Sequence, residues 1–207
     1  VKPVVNSVTK FTGSLADLNT LYVTNAAKTT NASKDEAVTV SDTSIDAALL
    51  TAVNGATSGL ITVDPTSIFG AGDQIVALYT ANGNAGHLTG LDGDLTVTLK
   101  GTSTNATTLK VISAADLISI NSSTTGLITI DSSATSISGN KTQIAAVLKE
   151  DTVGTGTVGV TTPTVTGTEN LAITITGSID RAEYILIQNN YTTGVITATL
   201  EDSTYAQ

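Results

Sequence analysis

The chain contains no cysteine, methionine or tryptophan, and only 3% of its 207 residues are aromatic. Without thiolates there is no disulfide scaffold, zinc–thiolate centre, iron–sulfur cluster or cysteine nucleophile. One arginine, Arg181, and eight scattered lysines stand against 18 acidic residues, for a net charge of −9. No basic stripe of the kind a phosphate backbone requires can be drawn through them, which argues against nucleic acid as a partner. No run approaches the roughly 18 apolar residues of a membrane-spanning helix. The single histidine, His87, sits in the Gly-rich stretch Asn84-Ala85-Gly86-His87 and reads as an ordinary loop residue. Neither a Gly-x-Ser-x-Gly elbow nor a Gly-x-x-x-x-Gly-Lys-Ser/Thr loop is written anywhere. The expectation is a protein that is not an enzyme.

What the chain has in abundance is small hydroxyls: 40 Thr and 18 Ser. Its apolar residues are Val, Ile, Leu and Ala, recurring in runs such as Leu60-Ile61-Thr62-Val63 and Leu171-Ala172-Ile173-Thr174-Ile175. Disordered chains are poor in such β-branched runs, so this one folds. The absence of oxidisable sulfur, the acidity and the hydroxyl bias favour an extracellular or cell-surface setting. The opening Val1-Lys2-Pro3-Val4-Val5 has neither an initiator methionine nor a signal peptide, as in a mature product or an excised piece.

The sequence repeats. Asn54-Gly55-Ala56-Thr57-Ser58-Gly59-Leu60-Ile61-Thr62-Val63-Asp64 returns 67 residues later as Asn121-Ser122-Ser123-Thr124-Thr125-Gly126-Leu127-Ile128-Thr129-Ile130-Asp131, with seven of eleven positions identical. A third copy runs from Asn189 to Ala198. Each copy follows apolar residues at helical spacing: Ile45, Leu49, Leu50 and Val53; Leu117 and Ile120; Ile179, Ala182, Ile185 and Leu186. Thr43 or Ser44, Ser113 and Ser178 stand where N-caps belong. Gly59, Gly126 and Gly194 stand where a left-handed helix stop or tight turn belongs. Short β-branched runs precede the helices at Val38-Thr39-Val40, Leu109-Lys110-Val111-Ile112 and Ile173-Thr174-Ile175. A second helix is expected after Ile68-Phe69-Gly70 and Ile137-Ser138-Gly139. It would end near Asn82-Gly83 in one copy and Lys149-Glu150-Asp151 in the other. Leu91-Asp92-Gly93-Asp94-Leu95 reads as a hairpin turn leading into a strand from Leu95 to Leu99. Val153 to Thr168 reads as edge strand or loop.

These patterns predict a β-rich mixed α/β fold of tandem strand–short helix–strand repeats of about 67 residues, solenoid-like, with a right-handed crossover. The alternative is a β-sandwich with short helical insertions. The expected organisation is an N-terminal extended segment and partial repeat over 1–36, repeats over 37–108 and 109–170, and a partial repeat over 171–207.

Oxygen-rich clusters are the place to look for a metal, because calcium is held by Asp carboxylates and carbonyls. The candidate calcium ligands are Asp92 and Asp94, joined by Asp73, and the strand-end pair Asp64 and Asp131. The competing reading makes Asp92-Gly93 a turn and Asp64 and Asp131 caps. Five Asn-x-Ser/Thr sequons, at Asn31, Asn105, Asn121, Asn140 and Asn190, are a mild excess for so hydroxyl-rich a chain. Tyr79, Tyr184, Tyr191 and Tyr205 are too dispersed to form a stacking platform. The first nine residues are extended in character, suited to pairing with a sheet edge, in this chain or on a neighbouring molecule.

The phrases Ser14-Leu15-Ala16-Asp17-Leu18-Asn19-Thr20-Leu21, Ala114-Ala115-Asp116-Leu117 and Thr192-Thr193-Gly194-Val195-Ile196-Thr197-Ala198 resemble the Thr/Ser/Asp-rich tandem repeats of very large secreted surface proteins of cyanobacteria and other aquatic bacteria. They are also similar to repeats in structural proteins of phages. The resemblance implies a secreted structural or adhesive protein and supplies no catalytic residue. The expected function is a structural module of a surface layer, filament or long adhesin. Its expected partners are copies of itself or adjacent modules of a longer chain, and surface glycans. A host- or glycan-recognition module, such as a phage fibre segment, is the alternative.

Overall fold

The computed structural model describes residues 8–26, 34–83, 87–103, 110–150, 165–168, 170–190 and 194–201. Over these residues the fold is mixed α/β, built of largely parallel sheets and six α-helices, and the described strands close no barrel. Two compact units divide the chain, Val1–Thr96 and Val97–Gln207.

In the first unit, strand β1 (Lys10–Gly13) enters helix α1 (Leu15–Asn19), which widens into a π-type turn over Thr20–Thr24, where Asn25 N–H reaches back five residues to Thr20 C=O. Then follow β2 (Ala37–Val40), β3 (Ser44–Asp46), α2 (Ala47–Ala56), β4 (Ile61–Thr62), β5 (Ser67–Gly70), α3 (Gly72–Ala81) and β6 (Leu88–Thr89). Strands β1, β2, β4 and β6 lie side by side in that order, all parallel, and β3 pairs with β5 in parallel. Helix α1 packs on α2, and α2 on α3.

The second unit takes most of β7 (Thr96–Leu99), then β8 (Thr102–Ser103), β9 (Lys110–Ser113), α4 (Ala114–Asn121), β10 (Ile128–Ile130), β11 (Ser136–Gly139), α5 (Lys141–Glu150), β12 (Val165–Thr166), β13 (Ala172–Ile179), α6 (Arg181–Asn190) and β14 (Ile196–Leu200). Strand β10 lies between β7 and β12, and the order β14-β13-β11-β9-β8 makes a second row. Its pairings are parallel except β8 with β9. Helix α4 packs on α5, and α5 on α6.

Parallel neighbours need a crossover, and here each crossover carries a helix or a further strand. The parallel pairings step along the chain by as few as 21 residues, from Ile179 to Leu200, and as many as 37, from Ile128 to Val165. This step is shorter than the 67-residue sequence offset. Among the described residues the strand pairings are parallel apart from β8 with β9, unlike the antiparallel sheets of a sandwich.

Register stacks like on like. Phe11, Val38, Ile61 and Leu88 form one ladder, with Val38, Ile61 and Leu88 buried, and Thr12, Thr39, Thr62 and Thr89 form the next. In the second unit Val97, Ile128 and Val165 stack beside Thr98, Thr129 and Thr166. Ile112, Ile137, Ile173 and Ile196 stack beside Ser113, Ser138, Thr174 and Thr197. Side chains alternate across a strand, so one ladder fills the core while its neighbour faces outward, where β-branched Thr suits both the pleat and water. Part of the hydroxyl bias of the composition thus lies in the outward row of each sheet.

Helices begin where side chains satisfy their free N–H groups. Ser113 caps α4 as expected, accepting from Asp116 N–H at 3.2 Å. The other two expected caps are corrected. Ser44 and Ser178 lie within strands β3 and β13, and the caps are Asp46, accepting from Ala48 and Leu49 N–H, and Asp180. Asp180 with Glu183, and Asn140 with Gln143, form reciprocal capping boxes. The second helices stand where expected, as α3 and α5.

Two turn expectations are also corrected. Gly59 and Gly126 do not have positive φ. Instead Gly59 N–H donates to Thr57 Oγ1 and Gly126 N–H to Thr124 Oγ1, both at 3.0 Å, so the Thr hydroxyl closes the turn. The Asp92-Gly93 turn makes no hairpin: β6 pairs with β4 and β7 with β10, both in parallel, so the turn hands the chain from one row to another. Leu91 and Leu95 are buried on either side of it. The positive φ belongs to Gly90, at +98°.

A buried aromatic supplies a pH test. Tyr22 packs edge-on to Phe11, with ring centroids 6.0 Å apart. Burial, and then the negative charge of buried Glu36, push its hydroxyl up from 10.0 to about 12, the Thr57 hydroxyl partly opposing them. Folded Tyr22 therefore holds its proton to higher pH than the unfolded chain does. Its contribution to stability is complete below pH 10.0 and is lost as pH rises through about 12. Thermal melts across that window should show a fall in midpoint that Tyr22→Phe flattens; an equally steep fall in the variant would contradict this.

Candidate functional site

Among the described residues, the five candidate calcium ligands included, no three His, Asp or Glu side chains gather where they could hold a metal ion. Asp64, Asp73, Asp92 and Asp94 are exposed. Asp73 lies in the first turn of α3, where a carboxylate complements the helix dipole. Asp92 and Asp94 flank the turn before β7. Asp131 accepts from Ser133 N–H at 2.9 Å, and the hydrogen bonds from Ser133 hold its carboxyl below the usual range. It terminates β10 and turns the chain, the role that the capping reading assigned to it.

His87 is exposed, and its carbonyl accepts from Ile61 N–H as β6 joins β4. Tyr79 and Tyr184 are half-buried on different helices, while Tyr191 and Tyr205 lie outside the described residues. The sequons at Asn121 and Asn140 fall at the end of α4 and the cap of α5. Those at Asn31 and Asn105, and the hydroxyl of the one at Asn190, lie outside the described residues.

Strands β1 and β14 are two of the six strands that end a sheet, and no further described strand pairs with either. In the first unit, β1 is the outermost strand of its sheet. Ala37 N–H donates to Thr9 C=O and Ser41 N–H to Gly13 C=O. Backbone groups alternate sides along a strand, so those of Lys10 and Thr12 point away from β2. In the second unit, β14 is outermost. Ile173 N–H donates to Val195 C=O, so the N–H and C=O of Ile196 and Ala198 point away from β13.

Around β14 several apolar side chains are exposed among polar ones. Val195 is 72% exposed, Leu186 61% and Leu200 53%, with Ile185 also exposed on α6. Val195 has counterparts in the exposed Leu60 and Leu127, the residues that follow the glycine in each sequence copy. Helix α6 is braced to α5 by Lys141 Nζ and Glu183 Oε1 at 2.7 Å, which raises the lysine and lowers the carboxylate from their ordinary values. Unprotected edges ordinarily carry prolines, bulges or inward charges. Strand β14 has no proline or charged residue in Ile196–Leu200. The sequence reading placed edge pairing on the first nine residues, of which 1–7 lie outside the described residues. The apolar residue recurring after each Gly was the signal for the β14 surface.

Compared with known protein families, curated proteins and solved structures, the chain finds no match. No described helix is long and apolar enough to cross a membrane.

Proposed function

We propose that the chain is a structural module of an extracellular assembly, a surface layer, filament or long adhesin, in which strand–helix repeats stack as a solenoid and join neighbouring copies. The observation that carries this reading is the pair of edges, β1 and β14, that no further described strand covers, the latter flanked by exposed Val195, Leu186 and Leu200. An edge strand without proline or charge is a template for another strand. The extracellular setting rests on the absence of sulfur and the acidic, hydroxyl-rich composition. The purified protein should form larger species as its concentration rises, followed by sedimentation velocity and electron microscopy. A strictly monomeric protein from micromolar to millimolar concentration would sink the proposal.

A further inference from the structure

We infer that the partner of strand β14 is strand β1 of a second copy, added in parallel and in one register, so that copies join head to tail. This rests on the self-association proposed above and specifies its surfaces. Two linked features of the edges point to it.

The first is the side-chain ladder. The row ending at β14 stacks Ile112, Ile137, Ile173 and Ile196, with Ser113, Ser138, Thr174 and Thr197 beside them. The sheet beginning at β1 stacks Phe11, Val38, Ile61 and Leu88, with Thr12, Thr39, Thr62 and Thr89 beside them. Set Ile196 opposite the second copy's Phe11 and both ladders continue unbroken, apolar on apolar and hydroxyl on hydroxyl.

The second is hydrogen-bond parity. In a parallel pair, a residue facing its neighbour bonds to the residues on either side of its partner, as Ile173 does through Val195. In the register set by the ladders, Ile196 faces outward and would donate to the C=O of Lys10 and accept from the N–H of Thr12. Those are the β1 residues whose backbone groups point outward. A shift of one residue breaks the ladders and the parity together.

Such a joint is heterologous: the two edges differ, so it leaves a β1 edge free on one copy and a β14 edge free on the other, to which further copies can add. A face-to-face dimer through two β14 edges would instead stop at two.

The absence of cysteine from the chain makes a clean test. Thr12 and Thr197 are exposed and would sit opposite each other across the joint, within disulfide reach. On mixing Thr12→Cys with Thr197→Cys under mild oxidation, the covalent heterodimer should exceed either homodimer by at least about tenfold. Thr12→Cys with Thr199→Cys, two residues out of register, should crosslink about tenfold less. Sedimentation of the unsubstituted protein runs alongside. If that protein assembles but the Thr12–Thr197 pair crosslinks no better than the shifted pair, the joint is refuted while self-association stands. A dominant Thr197→Cys homodimer refutes it in favour of a face-to-face dimer. A strictly monomeric protein removes the self-association reading and the joint with it.

Discussion

Gly59→Ala should destabilise the protein by about 3–5 kcal/mol, enough to threaten folding of the first unit. A Cβ built on Gly59 would lie 1.9 Å from the Glu36 carbonyl oxygen and 2.5 Å from its carbonyl carbon, with the Asp35 carbonyl carbon at 2.9 Å. All three are backbone atoms, so no rotamer change relieves the clash. The segment cannot simply move aside. Ser58 N–H and the Thr57 hydroxyl both donate to Lys34 C=O, at 2.8 and 2.6 Å, clamping this turn onto the entry to β2. Strand β2 in turn is held between β1 and β4. Four residues earlier the same substitution should act in the opposite direction. Gly55 is in the last turn of α2, with nothing within 4 Å of its missing Cβ. Gly55→Ala should therefore stabilise by about 0.5–1 kcal/mol, through reduced freedom of the unfolded chain. Urea titrations of the two variants test the pair. Equal midpoints would show that the close approach at Gly59 does not exist.

The second contrast lies in the repeated phrase of the other unit. Ile128 is fully buried, stacked between Val97 and Val165, and truncation to alanine should cost about 2–5 kcal/mol by opening a cavity in that ladder. Its neighbour Leu127 is 43% exposed, and Leu127→Ala should change stability by no more than about 0.5 kcal/mol. Both residues are identical in the first sequence copy, at Leu60 and Ile61, and an apolar pair in sequence does not say which member is inside. Strand alternation says it. If Leu127→Ala proves as costly as Ile128→Ala, the strand faces the other way or Leu127 is covered by an assembly contact. A melt at the lowest usable concentration separates those two outcomes.

Much of the fold could be read from local pattern. The β-branched runs became β2, β9 and β13, the helical spacing became α2, α4 and α6, and the Gly-led tails became α3 and α5. These readings rest on periodicities that a chain carries whatever surrounds it. Chain-end details were harder. Asp46 and Asp180 displaced Ser44 and Ser178 as caps, because strands β3 and β13 extend up to the helices and carry those serines within a ladder. In β3, the Ser44 hydroxyl is used by the Ser67 hydroxyl at 2.9 Å, a partner 23 residues away. At the site, the sequence could identify carboxylates but not bring them together. Asp131 proved to be a turn residue bonded to Ser133, two positions on.

The sequence by itself determined the element types, the exclusion of thiolate chemistry and the one-sided character of the sheets, since apolar–hydroxyl alternation is a property of neighbouring residues. The tertiary structure decided which strands are neighbours, and so which edges stay open. Pairing of Val38 with Ile61, or of Ile173 with Ile196, is settled by the path of the intervening crossover, which no local periodicity encodes. The same holds for Gly59. Its sequence marks a turn, but the need for glycine comes from Glu36, brought to 1.9 Å from the missing methyl by the pairing of β2 with β4 and the clamp on Lys34.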